Sequence, residues 1–487
     1  MTEAELRRNI RATLMPGFEG PDLPEWLAGE LRDGLGAVCL FGTNVDTSEQ
    51  VLRLTQAIHA ANPDALIAID EEGGTVTRLH HREGSPHPSA AYLGSLDEEA
   101  VTGAVGASIG AELLAVGVDV NFAPDADVNC NPNNPVIGVR SFGADPHLVA
   151  RHVAAYTRGL QGAGVAAVAK HFPGHGDTAT DSHQALPTIT VDLAVLTARE
   201  LVPFGAAVAA GTLGVMTSHI VVTALDPSSP ATMSPGVLRL LREELGFRGA
   251  IISDALDMAG ASAGRGIGEA AVLALAAGVD LLCLGTKNTG DQVAGIVEHI
   301  ATAVLTGRLS PVRVTQAAER VRAMSAGVRA LRADRHPTSP VAPAHSPEGF
   351  WTAHPLAPLV APVLLQLDSP SNIASGDTVW GIGDHLSGEL AERLPGATCR
   401  SAATLAEVQD VLDTARDRAL VVQGRDLSRV PFLTEAASLI RRERPDAVLI
   451  ELGWPQLPGV PPVDIATFGS GTGAAICLIG LLAEGTR

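Results

Sequence analysis

Eight short apolar runs, most of them separated by longer alanine-rich segments, fill the first 330 or so residues, and this alternation restricts the possible folds more than any other feature. The runs are ATLMPGF (12–18), AVCLFG (37–42), LIAID (66–70), VDVNFAP (118–124), VAAVAKHF (165–172), LGVMTSH (213–219), AIISDAL (250–256) and VDLLCLG (279–285). Most are apolar at nearly every position rather than every second one, the pattern of parallel strands covered on both faces. Between most of them lie segments long enough for a helix, such as EAVTGAVGASIGAELLAVG and VARHVAAYTRGLQGAG. Eight strand-plus-helix units predict an α/β fold, a (β/α)8 TIM-type barrel with insertions; a doubly wound open sheet is the alternative.

A chain of 487 residues exceeds what one hydrophobic core organises, so a second domain is expected. We read residues 1–334 as the barrel, the proline-rich stretch 335–358 as an extended linker, and 359–487 as a smaller α/β sandwich. In that sandwich the expected strands are APVLLQL, TVWGIG, RALVVQG, AVLIELGW and DIATFGS.

Polar and charged residues gather at the C-terminal ends of the barrel strands: Asp70 to Arg78, Asn121 to Asp127, Lys170 to His183, His219 and Asp254. In a barrel all these ends open on one face, where sites of this architecture are built.

A net charge of -20 argues against nucleic-acid and anionic-membrane partners, whose binding draws on lysine and arginine. The N-terminal twenty residues lack an apolar core of signal-peptide length, and no run of eighteen apolar residues occurs, so a cytoplasmic protein without membrane partners is expected. The five cysteines are scattered and form no CxxC pair; neither a disulfide framework nor a cysteine zinc site is indicated. Cys39 and Cys283, inside apolar runs, read as small core residues.

Three motifs fail on context. Gly106-Ala107-Ser108-Ile109-Gly110 matches a nucleophile-elbow pattern but lies in a helical stretch, where small residues let helices pack closely. DADVNCNPNN begins like a calcium loop, yet Cys130 stands at its obligatory glycine and Val136 at its bidentate glutamate. GSGTG (469–473) lacks the Lys-Ser/Thr of a P-loop, so its glycines read as chain turns.

The stretch KHFPGHGDTATDSH (170–183) differs in density, with three histidines, two aspartates and one of only two lysines in the chain. Pro173, Gly174 and Gly176 predict a flexible loop carrying groups that titrate near neutrality. Asp181 and His183 stand two apart, a spacing that lets the carboxylate accept from one ring nitrogen while the other faces a substrate, which suits proton delivery and uptake. Lys170, in a chain that otherwise uses arginine almost throughout, marks a place for a compact ammonium donating to polyol hydroxyls. His219 alone at a strand end reads as hydrogen-bonded structure. Asp254 either caps the following helix or serves as a nucleophile, because a carboxylate opposite a proton donor can stabilise and trap an oxocarbenium-like species.

These residues resemble the β-N-acetylhexosaminidases of glycoside hydrolase family 3, the NagZ-like group, over about residues 5 to 330. KHFPGHG followed by DSH carries the resemblance. It implies Asp254 as nucleophile, His183 paired with Asp181 as general acid/base, and Asp70, Arg78, Arg140, Lys170 and His171 as the residues holding a terminal N-acetylglucosamine. It implies no cofactor and no metal, and a small-molecule glycan, an N-acetylglucosaminide, as substrate. Glu71, Thr75 and Asp125 depart from that family, which commonly has glutamine, arginine and an apolar residue there.

The expected activity is a retaining exo-β-N-acetylglucosaminidase acting on small glycans such as cell-wall muropeptides. Ten Phe, four Trp and two Tyr offer few stacking platforms for a long polymer, which favours a pocket. The rivals are a phosphorylase using the same residues, a metal-dependent barrel amidohydrolase and a non-catalytic sugar sensor. Product analysis in phosphate, chelation, and saturable binding without turnover separate them.

Overall fold

A computed structural model describes residues 2–179, 186–262, 264–335, 343–369, 374, 376, 378–456 and 463–486. Its contacts divide the chain into two compact units, Met1–Glu72 with Glu99–Ile137 and Ala144–Val341, and Gly73–Glu98 with Gly138–Gly143 and Ala342–Arg487.

In the first unit each of the eight apolar runs contains a strand: β1 (Leu14–Met15), β2 (Ala37–Leu40), β3 (Leu66–Ile69), β4 (Val120–Asn121), β5 (Ala166–Phe172), β6 (Gly214–Thr217), β7 (Ala250–Ile252) and β8 (Leu282–Cys283). Strands β2 to β7 form one parallel sheet in sequence order, and β1 pairs in parallel with β8. An Ile252–Leu281 bridge joins β7 to β8, and the Cys39 N–H donates to the Pro16 carbonyl (3.0 Å) beside β1. The ring is thereby closed as a barrel.

Alternate residues of the strands fill its interior, among them Met15, Cys39, Ala68, Val120, Val168, Met216, Ile252 and Cys283. Cys39 and Cys283 are buried and form no disulfide, as expected. Val321, Met324 and Val328, on one face of the helix Pro311–Asp334, join the same cluster.

That helix is pinned by a device that recurs. Asp119, just before β4, accepts the N–H of Ile67 (2.8 Å) and pairs with Arg332 (2.7 Å). Asp280, just before β8, accepts the N–H of Ile251 (3.0 Å) and pairs with Arg242 (2.5 Å), Arg313 (2.6 Å) and Arg320 (3.1 Å). Each aspartate caps the N-terminal edge of a neighbouring strand while its charge is met by arginines from the helix or the preceding turn. The strands therefore leave their C-terminal ends for chemistry.

Gly106 and Gly110 lie in the helix Glu99–Ala115. A Cβ on Gly106 would meet the Tyr156 carbonyl at 2.6 Å, and one on Gly110 the Ala163 methyl at 2.8 Å. They are helix-packing glycines, as their setting predicted.

The second unit holds a sheet in the order β9 (Trp351–Thr352), β14 (Ile465–Ala466), β13 (Val448–Glu451), β12 (Leu420–Gly424), β10 (Val363–Leu367), β11 (Thr398–Ala402), parallel except for β9. Val363, Leu365 and Leu367 pack with Val408, Val411, Leu433 and Ile440 from two helices. Asp464 repeats the barrel's device, accepting the Leu449 N–H (2.7 Å) and pairing with Arg441 (2.5 Å). TVWGIG, expected as a strand, instead turns into the helix Gly381–His385; Gly381 has φ +78° and sits against Gln366 and Gln423, which ends extended pairing there. No helix among the described residues is long and apolar enough to cross a membrane.

Candidate active site

Parallel neighbours deliver their C-terminal ends to one side, so the residues after β3, β4, β5 and β7 belong to one face of the barrel. Asp70 follows β3, Asp125 and Asp127 follow β4, Lys170 and His171 lie near the end of β5, and Asp254 stands two residues past β7.

Lys170 is 2% exposed. Its ammonium lies 2.7 Å from Asp70 Oδ1 and 2.6 Å from Glu72 Oε1. Burying a lone ammonium would cost several kcal/mol, roughly, and two carboxylates at hydrogen-bond distance offset it. The structure thus brings together the expected Asp70 and Lys170 and adds Glu72, which the sequence reading had not singled out. The main chain before Glu72 is tied down as well. Asn121 Nδ2 donates to the Glu71 carbonyl (2.7 Å) and Asn121 Oδ1 accepts the Glu71 N–H (2.9 Å). The Tyr156 hydroxyl donates to the Glu71 carbonyl (3.3 Å), and burial followed by the charges of Glu71 and Glu72 pushes that phenol well above its ordinary value.

His171 turns Nδ1 to Asp127 Oδ2 at 2.7 Å, with Asp125 Oδ2 at 3.8 Å. Asp127 Oδ1 also accepts the backbone N–H groups of His171 (3.2 Å) and His175 (2.6 Å). Burial pushes the Asp127 carboxyl up, but the His171 imidazole, its hydrogen bond and the His175 contacts outweigh that and hold it at about 2. Both aspartates of DADVN thus lie against this histidine.

The described part of the glycine-proline loop is bound down rather than loose. Asn134 Nδ2 donates to the His175 carbonyl (2.8 Å), Thr178 Oγ1 meets His175 Nδ1 (2.8 Å), and Arg199 pairs with Asp177 (2.5 Å). A Cβ on Gly176 would fall 1.8 Å from the Val128 carbonyl, and Gly174, at φ +123°, lies over Glu200. The glycines therefore serve close approach of backbone at least as much as freedom. Asp181 and His183 fall outside the described residues.

Asp254 is half-buried, and its Oδ1 accepts the Ala255 N–H (2.8 Å). The next helix begins only at Ala259, so Asp254 does not cap it. His219 is buried, with Nδ1 at 2.9 Å from the Thr232 hydroxyl and Nε2 donating to the Ala255 carbonyl at 3.0 Å. That is the hydrogen-bonded structural histidine the sequence predicted, and it braces the residue after Asp254.

Arg78 and Arg140 belong to the second unit. Arg78 Nη2 donates to the Ala374 carbonyl (3.0 Å), and Arg140 is buried at the end of a short 3-10 turn, Gly138–Arg140.

Among the described residues of the first unit, metal-ligating atoms converge in two places: Asp125, Asp127 and His171, and Cys130, Asp177 and Glu200. In the first, an ion would have to displace the imidazole N–H from Asp127. In the second, the Arg199 guanidinium already lies against both carboxylates, and burial followed by Glu200 pushes the Cys130 thiol up to about 12. Both donor sets are thus already engaged, one by an imidazole and the other by a guanidinium.

Residues 22–324 match the family model described as the glycosyl hydrolase family 3 N-terminal domain. The chain is 36% identical to beta-hexosaminidase A of Pseudoalteromonas piscicida over 327 residues, 62% of this chain and 54% of that protein, so it spans about half of that relative's length. It is 40% identical to the beta-hexosaminidase of Methylococcus capsulatus over 269 residues, 54% of this chain and 79% of that one. Among solved structures, a glycoside hydrolase family 3 beta-N-acetylglucosaminidase from Paenibacillus superposes with a TM-score of 0.86 at 29% identity, covering 100% of this chain and 98% of that one.

Proposed function

The chain belongs to glycosyl hydrolase family 3, and from that membership we propose that it is a retaining exo-β-N-acetylglucosaminidase whose catalytic domain is the barrel of residues 1–334. It removes terminal β-linked N-acetylglucosamine from small glycans such as cell-wall muropeptides. The observation that carries the reading is the agreement of the matched β-hexosaminidases with a cluster of buried, ion-paired polar groups at the barrel's strand ends.

In the first step Asp254 attacks the anomeric carbon while His183, oriented by Asp181, protonates the departing oxygen. The sugar is then held covalently on Asp254. In the second step His183 takes a proton from water, which displaces the carboxylate with net retention. Asp70, Lys170 and His171, with Arg78 and Arg140, hold the sugar's hydroxyl and acetamido groups. The ammonium and imidazole suit that work because each is already oriented by carboxylates before substrate arrives. Action in the cytoplasm accords with five cysteines that form no disulfide.

An aryl N-acetyl-β-glucosaminide tests the assignment. Asp254→Ala should lose at least about a thousandfold in kcat, since the nucleophile supplies several kcal/mol of barrier lowering. His183→Gly should be slow on substrates with poor leaving groups yet close to wild type on an activated one. Activity of Asp254→Ala within tenfold of wild type would sink the nucleophile assignment. Release of sugar 1-phosphate in phosphate buffer would replace hydrolysis with phosphorolysis.

A further inference from the structure

Asp127 takes no part in the two steps just described, yet it is wholly buried and accepts the His171 ring nitrogen and the backbone N–H groups of His171 and His175. One of its oxygens receives the Nδ1 of His171, and the other receives two backbone N–H groups, one on each side of Phe172-Pro173-Gly174. Asp125, four residues after β4, fixes it in turn by accepting the Asp127 N–H at Oδ1 (2.9 Å).

We propose that Asp127 is a positioning residue for this site: it keeps the His171 proton on Nδ1, so that Nε2 is the nitrogen offered to the sugar, and it holds the turn after β5 through His175. The proposal rests on the reading of His171 as a sugar-holding residue.

The chemistry follows from what each group can do. An ionised carboxylate only accepts, so the nitrogen at 2.7 Å must carry hydrogen, and the ring's remaining nitrogen lies across the imidazole from it. Among the described residues, the charged and titratable groups around the ring include Asp125 and Asp127 after β4, Lys170 beside it with Asp70 and Glu72, and His175, whose ring centroid is 6.1 Å away. Of the two aspartates, Asp127 lies at hydrogen-bond distance from Nδ1, 2.7 Å against 3.8 Å for Asp125. Its carboxyl, held at about 2, stays ionised across any working pH. Asp125, the departure from the family pattern, adds a second negative charge 3.8 Å from the same nitrogen.

Asp127→Asn keeps size and shape but can offer an amide N–H to the ring, which moves the imidazole proton to Nε2. Histidine-selective nitrogen-15 NMR of the full chain, with the His171 signal identified by its loss in His171→Gln, should show Nδ1–H in the wild type and Nε2–H in Asp127→Asn. KM for the aryl N-acetylglucosaminide should rise at least about tenfold with a smaller change in kcat, the size expected when a hydrogen bond to substrate is lost and its donor is left unpaired. A merely structural aspartate would lower the urea midpoint and leave the tautomer in place. An Nε2–H tautomer in the wild type overturns the proposal whether or not the variant folds, as does a variant whose tautomer and KM are unchanged. Wild-type Nδ1–H without turnover of any β-hexosaminide would support the positioning role and defeat the proposed function instead.

Discussion

Lys170 shows how little freedom the site leaves its side chains. With two carboxylates at 2.6 and 2.7 Å and 2% exposure, the ammonium has no room for the wider guanidinium fork. Lys170→Met should lower kcat/KM about 10- to 100-fold, as for a lost charged hydrogen bond, and should destabilise the chain by about 3 kcal/mol, because Asp70 and Glu72 lose a buried counterion. Steady-state kinetics and urea unfolding check the two effects, and Lys170→Arg should restore neither. Lys170 was legible in the sequence because the chain holds only two lysines. Glu72 was not. Its one sign was a place two residues after Asp70, and whether such side chains converge depends on how the chain bends once β3 ends. Asp127 was visible as one end of a polar strand-end cluster and inside a rejected calcium motif; its partner lies 44 positions away, a pairing that local pattern does not carry.

At the scale of the element, the helix Pro311–Asp334 is ion-paired to buried aspartates at the starts of β4 and β8. Asp280→Ala removes a carboxylate with no exposure and leaves Arg242, Arg313 and Arg320 facing each other. A loss of about 3–5 kcal/mol is expected, the usual result of taking one partner from a buried pair. Urea unfolding measures it, and a change under 1 kcal/mol, roughly the value of an exposed pair, would show that the aspartate is not needed there. The strands themselves were readable because continuous apolar runs have few other uses in an α/β chain. Their lengths were overestimated: in VDVNFAP only Val120–Asn121 pair as a strand, and Pro124 has no N–H with which to continue the ladder. Thr398–Ala402 escaped notice because four of its five residues are exposed on an edge strand and carry no apolar signature.

For the whole molecule, buried carboxylates set a pH profile. Burial pushes Glu200 up to about 7 against the pull of Arg199, and Glu451 up to about 8, with Asp426 adding to the shift. A carboxyl raised on folding favours the protonated form, so its contribution is fully present below about 4.5 and is lost as pH rises through the folded value. Asp127, held at about 2, acts oppositely: its stabilisation is present above about 4 and disappears toward pH 2. Stability should therefore peak near pH 5 and fall toward pH 8, by about 3 kcal/mol for Glu200 alone at ~1.4 kcal/mol per unit of pH. Glu200→Gln should flatten that fall in urea midpoints taken at pH 5 and pH 8; curves parallel to wild type would show that Glu200 does not contribute. The sequence by itself determined the alternating barrel, the second α/β unit and the richly polar strand ends, because burial in parallel sheets demands apolar runs and a closed barrel leaves polar chemistry only at their ends. Only the tertiary structure decided which carboxylate meets which cation, seating Glu72 on Lys170 and Asp127 on His171, because such pairs form across strands distant in the chain and are selected by distances of a few ångströms that no local pattern encodes.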